Sequence, residues 1–199
     1  MNIYAAPVEV ANAALAEVGH TQISSLLEGS PAAITFNAVY EKIVAKELTK
    51  HAWSFATRTE RLTYQGETGN SPRYAYYLPT GILTPRSLKV GRSPARGYEL
   101  RSNKLLTDFQ RNYDLRHTFR ASEDQWAADF AEGIRKRMMA VFYRALPVDL
   151  PAAREMNAEA ELELLRARTR DRNAQPGVEM SVDPVLVRAW RGASTDAQA

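Results

Sequence analysis

The chain has 199 residues, 45% of them apolar, 25% charged and 9% aromatic, an ordinary globular composition that excludes disordered, collagen-like and fibrous readings. It holds no cysteine, which removes disulfides, thiolate catalysis and Cys-ligated zinc and fits folding in a reducing cytoplasm. No run approaches the about 20 apolar residues of a membrane helix, and Met1–Pro7 lacks the basic start and apolar core of a signal peptide. The expectation is a soluble, unexported chain.

The net charge of +3 is unevenly spread. Residues 51–120 carry twelve Lys and Arg against five acids, so the basic surplus lies in the middle of the chain. Such a surface suits phosphates or an acidic protein partner. A solvated sheet face kept soluble by arginine accounts for it equally well, and both readings stay open.

In chain order, two helices come first. Pro7 sits at a first-turn position, and Ala11, Leu15 and Val18 recur at helical spacing until Gly19. Ser30-Pro31 is an N-cap followed by proline at the first helical position, and it predicts a helix over about Pro31 to Lys50. Phe36, Val39, Tyr40, Ile43, Val44 and Leu48 would form its apolar face, opposite Glu41, Lys42, Lys46 and Lys50. From about Thr57 to Phe119 the apolar period falls toward two and turn residues interrupt it. Ser102-Asn103, between Tyr98-Glu99-Leu100 and Leu105-Leu106-Thr107, predicts a tight hairpin. Tyr113, Leu115, His117 and Phe119 alternate with Asp114, Arg116, Thr118 and Arg120, which gives one apolar and one wet face. A capping pattern at Ser122 to Gln125 then predicts a third helix, with Trp126, Phe130, Ile134, Met138, Val141, Phe142 and Ala145 on one stripe until Pro147. A fourth is expected from near Pro151 to about Arg172, its acids early and its arginines late, as the helix dipole favours. Asn173 to Ala199 has little periodicity beyond Val185-Leu186-Val187 and Trp190. It reads as a terminal arm for a partner.

The expected fold is therefore α+β. A four-helix bundle (1–56 and 121–173) carries a small antiparallel sheet inserted between its second and third helices (57–120), and an extended C-terminal arm (174–199) follows. Two surfaces are candidates for contact: Val185, Leu186, Val187, Arg188 and Trp190 of the arm, and a basic sheet face of Arg92, Arg96, Arg101, Arg116 and Arg120.

Motifs for chemistry are missing. His20, His51 and His117 lie far apart without metal-ligand spacing. There is no nucleophile elbow, phosphate-binding loop or dinucleotide fingerprint. Glu159, Glu161 and Glu163 step around their helix without converging. Tyr74, Tyr76 and Tyr77 beside Arg73 suit base stacking or, more simply, a half-buried sheet. No catalytic group, cofactor or metal is expected.

An ordered set of landmarks carries a resemblance. Asn12-Ala13-Ala14-Leu15-Ala16-Glu17-Val18-Gly19 is followed by Ile23-Ser24-Ser25-Leu26, Ser30-Pro31-Ala32-Ala33, Tyr40, His51-Ala52-Trp53-Ser54-Phe55-Ala56 and Arg61-Leu62. Tyr76-Tyr77-Leu78-Pro79, Leu83, Leu88-Lys89-Val90 and Phe130-Ala131-Glu132-Gly133 continue it, over roughly residues 8–172. The sequence resembles tail tubular protein A and the related head-to-tail adaptor proteins of tailed phages and gene transfer agents. That resemblance implies a structural part of a virion or virion-like particle, assembled in the host cytoplasm. Its subunits form a homo-oligomeric ring, usually of twelve, docked under the portal. The other implied partners are the next tail, stopper or nozzle protein and, transiently, the DNA that passes through; no membrane is involved. A nucleic-acid-binding regulator that uses the basic sheet is the alternative.

Overall fold

The computed structural model describes residues 4–146 and 149–174 together with Leu186, Arg188 and Trp190. Helix α1 (Pro7–Val18) opens on a first-turn proline and stops at Gly19, whose φ of 73° is left-handed and open to glycine at low cost. The Gly19 and His20 amides donate to the carbonyls of Ala16 and Leu15. Helix α2 (Pro31–Lys50) starts where the Ser30 hydroxyl accepts from the Ala33 amide at 3.3 Å. It buries Phe36, Tyr40, Val44 and Leu48, the period its sequence implies. Helices α3 (Ala128–Ala145) and α4 (Leu150–Asn173) follow. The Asp149 carboxylate caps α4 by accepting from the Ala152 amide at 3.0 Å.

Among the described residues the chain forms two compact units. One comprises 4–56 and 121–174. Within it α3 is the central element, against which α1, α2 and α4 each pack. The closest approach falls at Gly133 on α3, where an added Cβ would lie 2.5 Å from Leu164 Cγ. Trp53, buried just after α2, meets Phe130 edge-on at a centroid distance of 4.8 Å, and Trp126 meets the same ring at 5.0 Å.

The other unit comprises 57–120 with Leu186, Arg188 and Trp190. Its strands are β1 (Thr57–Arg61), β2 (Thr63–Glu67), β3 (Tyr74–Tyr77), β4 (Ile82–Val90), β5 (Ser93–Pro94), β6 (Tyr98–Arg101), β7 (Lys104–Thr107) and β8 (Tyr113–Phe119). They form two antiparallel sheets of four, ordered β1-β8-β4-β5 and β2-β3-β7-β6. The expected hairpin is β6–β7, with Arg101 in register with Lys104 and Ser102 at a φ of 50°. Leu62, the single residue between β1 and β2, is the corner at which the chain leaves one sheet for the other. It is buried, and its amide donates to the Tyr113 carbonyl at 2.8 Å. Leu88, Tyr113 and Leu115 from one sheet and Tyr76, Leu100 and Leu105 from the other share one core with Leu62 and Leu186.

These observations overturn the expected fold class. Among the described residues the chain is α+β with 48% helix and 23% strand, and its two four-stranded sheets exceed a small sheet inserted in a four-helix bundle. The alternation of apolar residues marks strands but not their partners. One strand-like run, split at Leu62, therefore contributes to both sheets. The extended arm is corrected as well, because Leu186, Arg188 and Trp190 are helical. Leu186 is fully buried in the sheet core, with Trp190 packed against that core. The third helix begins later than the capping pattern implies. Ser122 precedes a 3-10 turn, Glu123–Gln125, and its hydroxyl bonds Asp124 instead of a backbone amide.

Candidate functional site

Three polar constellations hold the helical unit. Asp171, near the end of α4, accepts from the Ser54 hydroxyl at 2.5 Å and the Ser54 amide at 3.1 Å, and His51 Nε2 lies 2.9 Å from its other oxygen. Burial opposes ionisation of this carboxyl, yet the hydrogen bonds from His51 and Ser54 hold its pKa below the usual range. A serine, a histidine and an acid meet here, but the serine donates to the acid and not to the imidazole. That arrangement ties α4 to the segment after α2 and leaves no activated nucleophile. In the sheet unit His117 is wholly buried, with Nε2 3.3 Å from Glu60 Oε1, and burial lowers its pKa more than Glu60 restores it. Among the described residues no group of three or more His, Asp or Glu side chains could hold a metal ion. No described helix is long and apolar enough to cross a membrane.

The second constellation joins α2, α3 and α4. Glu47, buried on α2, meets Lys50 at 2.8 Å and Arg137 at 3.5 Å. Glu161 on α4 meets Arg168 at 2.8 Å, Lys50 at 3.5 Å and Arg137 as well. The Arg168 hydrogen bond, with help from Lys50 and Arg137, lowers the Glu161 pKa to about 2. Beside this network opens a cleft of about 200 Å³. Ile43, Ala140 and Val141 form its apolar side, and Lys46, Arg137 and Arg144, with Glu47 and Asn157, its polar and mostly cationic side. Among the described residues Lys46 and Arg144 have no ion-pair partner, whereas Arg137 is committed to Glu161 and Asn157. The sequence offers only a weak sign of this cleft: Lys46 and Lys50, and Arg137 and Arg144, recur at spacings of four and seven on their helices.

The third is a turn ahead of α2. The Ser24 amide and hydroxyl donate to Glu28 Oε2 at 2.9 and 2.8 Å, the Leu27 amide donates to Ser25 Oγ at 3.1 Å, and Asn37 Nδ2 donates to the Leu26 carbonyl at 2.6 Å. Hydrogen bonds from Ser30 first and Ser24 next lower the Glu28 pKa to about 2. This ordered turn leaves Leu27 96% exposed.

The two contact surfaces expected from the sequence fare differently. In the tail, Leu186 is committed to its own chain's core, Arg188 is exposed and Trp190 is half-buried against the core. Val185 and Val187 lie outside the described residues. The five arginines do not share one sheet. Arg116 is half-buried on β8, level with Thr59 and Ser87 on the neighbouring strands. Arg92 occupies the exposed β4–β5 turn, Arg96 is exposed after β5, and Arg120 is half-buried just past β8. Arg101 belongs to the second sheet and pairs with Glu99 at 2.8 Å. Other arginines of the unit are similarly paired: Arg61 with Asp114 at 3.0 Å, Arg73 with Glu67 at 3.1 Å, and Arg58 with Glu60. Arg86 is buried, its pKa lowered to about 10 by that burial, and it donates to the Thr118 hydroxyl at 2.7 Å.

Large apolar side chains are also exposed on helices. Leu162 and Leu165, one turn apart on α4, are 55% and 54% exposed, and Ile34 on α2 is 61% exposed. No protein-family model matches the sequence, and no curated protein matches it.

Proposed function

We propose that the chain is a structural head-to-tail adaptor of a tailed phage or gene transfer agent: one subunit of a ring beneath the portal that joins the capsid to the tail and lets DNA pass. The observation that carries this reading is the set of uncovered apolar side chains on an otherwise well-packed helical unit. Leu162 and Leu165 lie side by side on α4, and Leu27 and Ile34 are exposed at the start of α2. A side chain of this kind gains about 25 cal/mol per Å² on being covered, so a subunit that works among copies and neighbours has reason to leave it out. The ordered sequence landmarks support the same reading, and several of them fall where elements begin or end. Gly19 ends α1, Ser30-Pro31 starts α2, and Trp53 to Ala56 lead from the helices to β1.

The rival, a regulator that binds nucleic acid through the β region, is weakened by the ion pairs that already occupy Arg58, Arg61, Arg73 and Arg101. Electron micrographs of purified particles test the proposal. The expected result is a ring of copies at the capsid–tail junction. Particles that lack the protein at that junction, or a free monomer with steeply salt-dependent affinity for duplex DNA, overturn it.

A further inference from the structure

The cleft between Ile43 and Val141 and the turn bearing Leu27 carry opposite charge beside apolar surface, and they lie on different parts of the same unit. The cleft offers an apolar wall beside Lys46 and Arg144, two cations without an ion-pair partner among the described residues; the one carboxylate in its lining, Glu47, is already held by Lys50 and Arg137, and Asn157 completes the rim. At about 200 Å³ it is smaller than the roughly 300–1,000 Å³ of a drug-sized ligand's pocket, which suits one or two protein side chains. The turn offers an aliphatic side chain, Leu27, 96% exposed, directly followed by the Glu28 carboxylate. It is held in shape before any contact by the bonds among Ser24, Ser25, Glu28 and Asn37, so ordering it costs little on association.

We infer that the Leu27–Glu28 turn of one copy seats in the Ile43/Val141 cleft of a second copy, with Leu27 against the apolar wall and Glu28 between Lys46 and Arg144. Turn and cleft sit toward opposite ends of α2, about 10–15 Å apart at 1.5 Å per residue from Asn37 to Ile43–Glu47. The copy that gives its turn keeps its own cleft, and the copy that receives it keeps its own turn, for the next. Contacts of this heterologous kind close rings or extend filaments. The inference rests on the ring reading and gives it a specific subunit contact.

The cysteine-free chain permits a direct test. Leu27→Cys protein is mixed with Val141→Cys or, separately, Ile43→Cys protein and oxidised with diamide. The control partner is Arg172→Cys, exposed near the end of α4 and outside both apolar surfaces. The expected result is a disulfide-linked dimer with either cleft cysteine, in clear excess over the control. Glu28→Gln, whose amide oxygen can still accept from Ser24, in the Leu27→Cys chain should cut its yield by about fivefold, the weight of a single exposed charge pair; Lys46→Gln with Arg144→Gln in the partner should cut it similarly, and both changes together should cost little more than either alone. Yields no higher than the control for both cleft positions, or yields indifferent to Glu28→Gln, overturn the contact, as they would if an unrelated acidic peptide filled the cleft. The two failures are separable: a ring in particles without this cross-link removes the contact alone, and a cross-link in a protein absent from particles removes the adaptor reading alone.

Discussion

At Gly133 one missing methyl group sets how closely two helices pack. A Cβ there would stand 2.5 Å from Leu164 Cγ and 2.6 Å from Cδ2, and Leu164 is fully buried, so the leucine or its helix must shift within the core to admit it. Gly133→Ala gains about 1 kcal/mol of helix propensity. Against this, overpacking a close contact costs about 1–3 kcal/mol. The net effect is expected to be a loss, seen as a lower denaturation midpoint at unchanged slope. The same change made in a Leu164→Ala background should be neutral or stabilising, because the obstructing atoms are gone. A Gly133→Ala protein more stable than the parent would show that α3 and α4 have room to part. Phe130-Ala131-Glu132-Gly133 enters the sequence reading only as a landmark of the resemblance, and periodicity gives no reason for its glycine, because the need for a missing Cβ arises only from the partner helix.

At the scale of elements, the ion-pair network ties α2, α3 and α4 together and carries a pH dependence of definite sign. Glu161 ionises at about 2 in the folded chain against 4.5 in the unfolded one. Its contribution is therefore complete above about 4.5 and is lost as the pH falls toward 2. Glu161→Gln should lower stability at neutral pH, and the gap between variant and parent should shrink toward zero on acidification. Glu161 is half exposed, so solvent screening keeps the effect modest, and added salt should narrow it further. A gap that does not change between neutral pH and 2 would mean that the carboxylate contributes packing and not charge. Helices of this kind are largely legible in sequence. The serine cap and first-turn proline place the start of α2, and the early acids and late arginines of α4 give its extent to within a residue or two. The third helix is misplaced for a physical reason. Ser122 and Gln125 have the spacing of a capping box, but the serine hydroxyl bonds Asp124, the segment closes as a 3-10 turn, and the helix waits until Ala128. Strand partners are less legible still. Period-two alternation predicts β8 and the β6–β7 hairpin, yet the turn at Leu62 that divides the strands between two sheets depends on contacts with Tyr113, about fifty residues away in sequence. The candidate cleft is almost invisible for the same reason, since its walls come from α2, α3 and Asn157 of α4 and no one of these helices alone shows a pocket.

For the whole molecule, the course of the chain matters more than the count of its elements. It passes from the helical unit to the sheets at Thr57, back at Ala121, and contributes Leu186 and Trp190 to the sheet core after α4 has ended. The sheet unit is therefore not complete as the segment 57–120, because one of its core side chains arrives from near the C-terminus. Replacing a fully buried leucine by alanine costs about 2–5 kcal/mol, according to how far the site can collapse. Leu186→Ala in the full-length chain should accordingly raise amide exchange in β3, β7 and β8, whose Tyr76, Leu105 and Leu115 share that core. Exchange along α3, whose buried face is formed by Phe130, Ile134 and Met138, is the internal reference and should change far less. The outcome separates two roles for the tail. An arm kept for a partner would leave sheet protection unchanged when Leu186 is cut back and would lose only assembly. A core strut raises exchange first in the sheets, in the isolated protein and before any partner is present. Unchanged protection of Tyr76 and Leu105 in the Leu186→Ala protein would return the C-terminal residues to the role of a free arm.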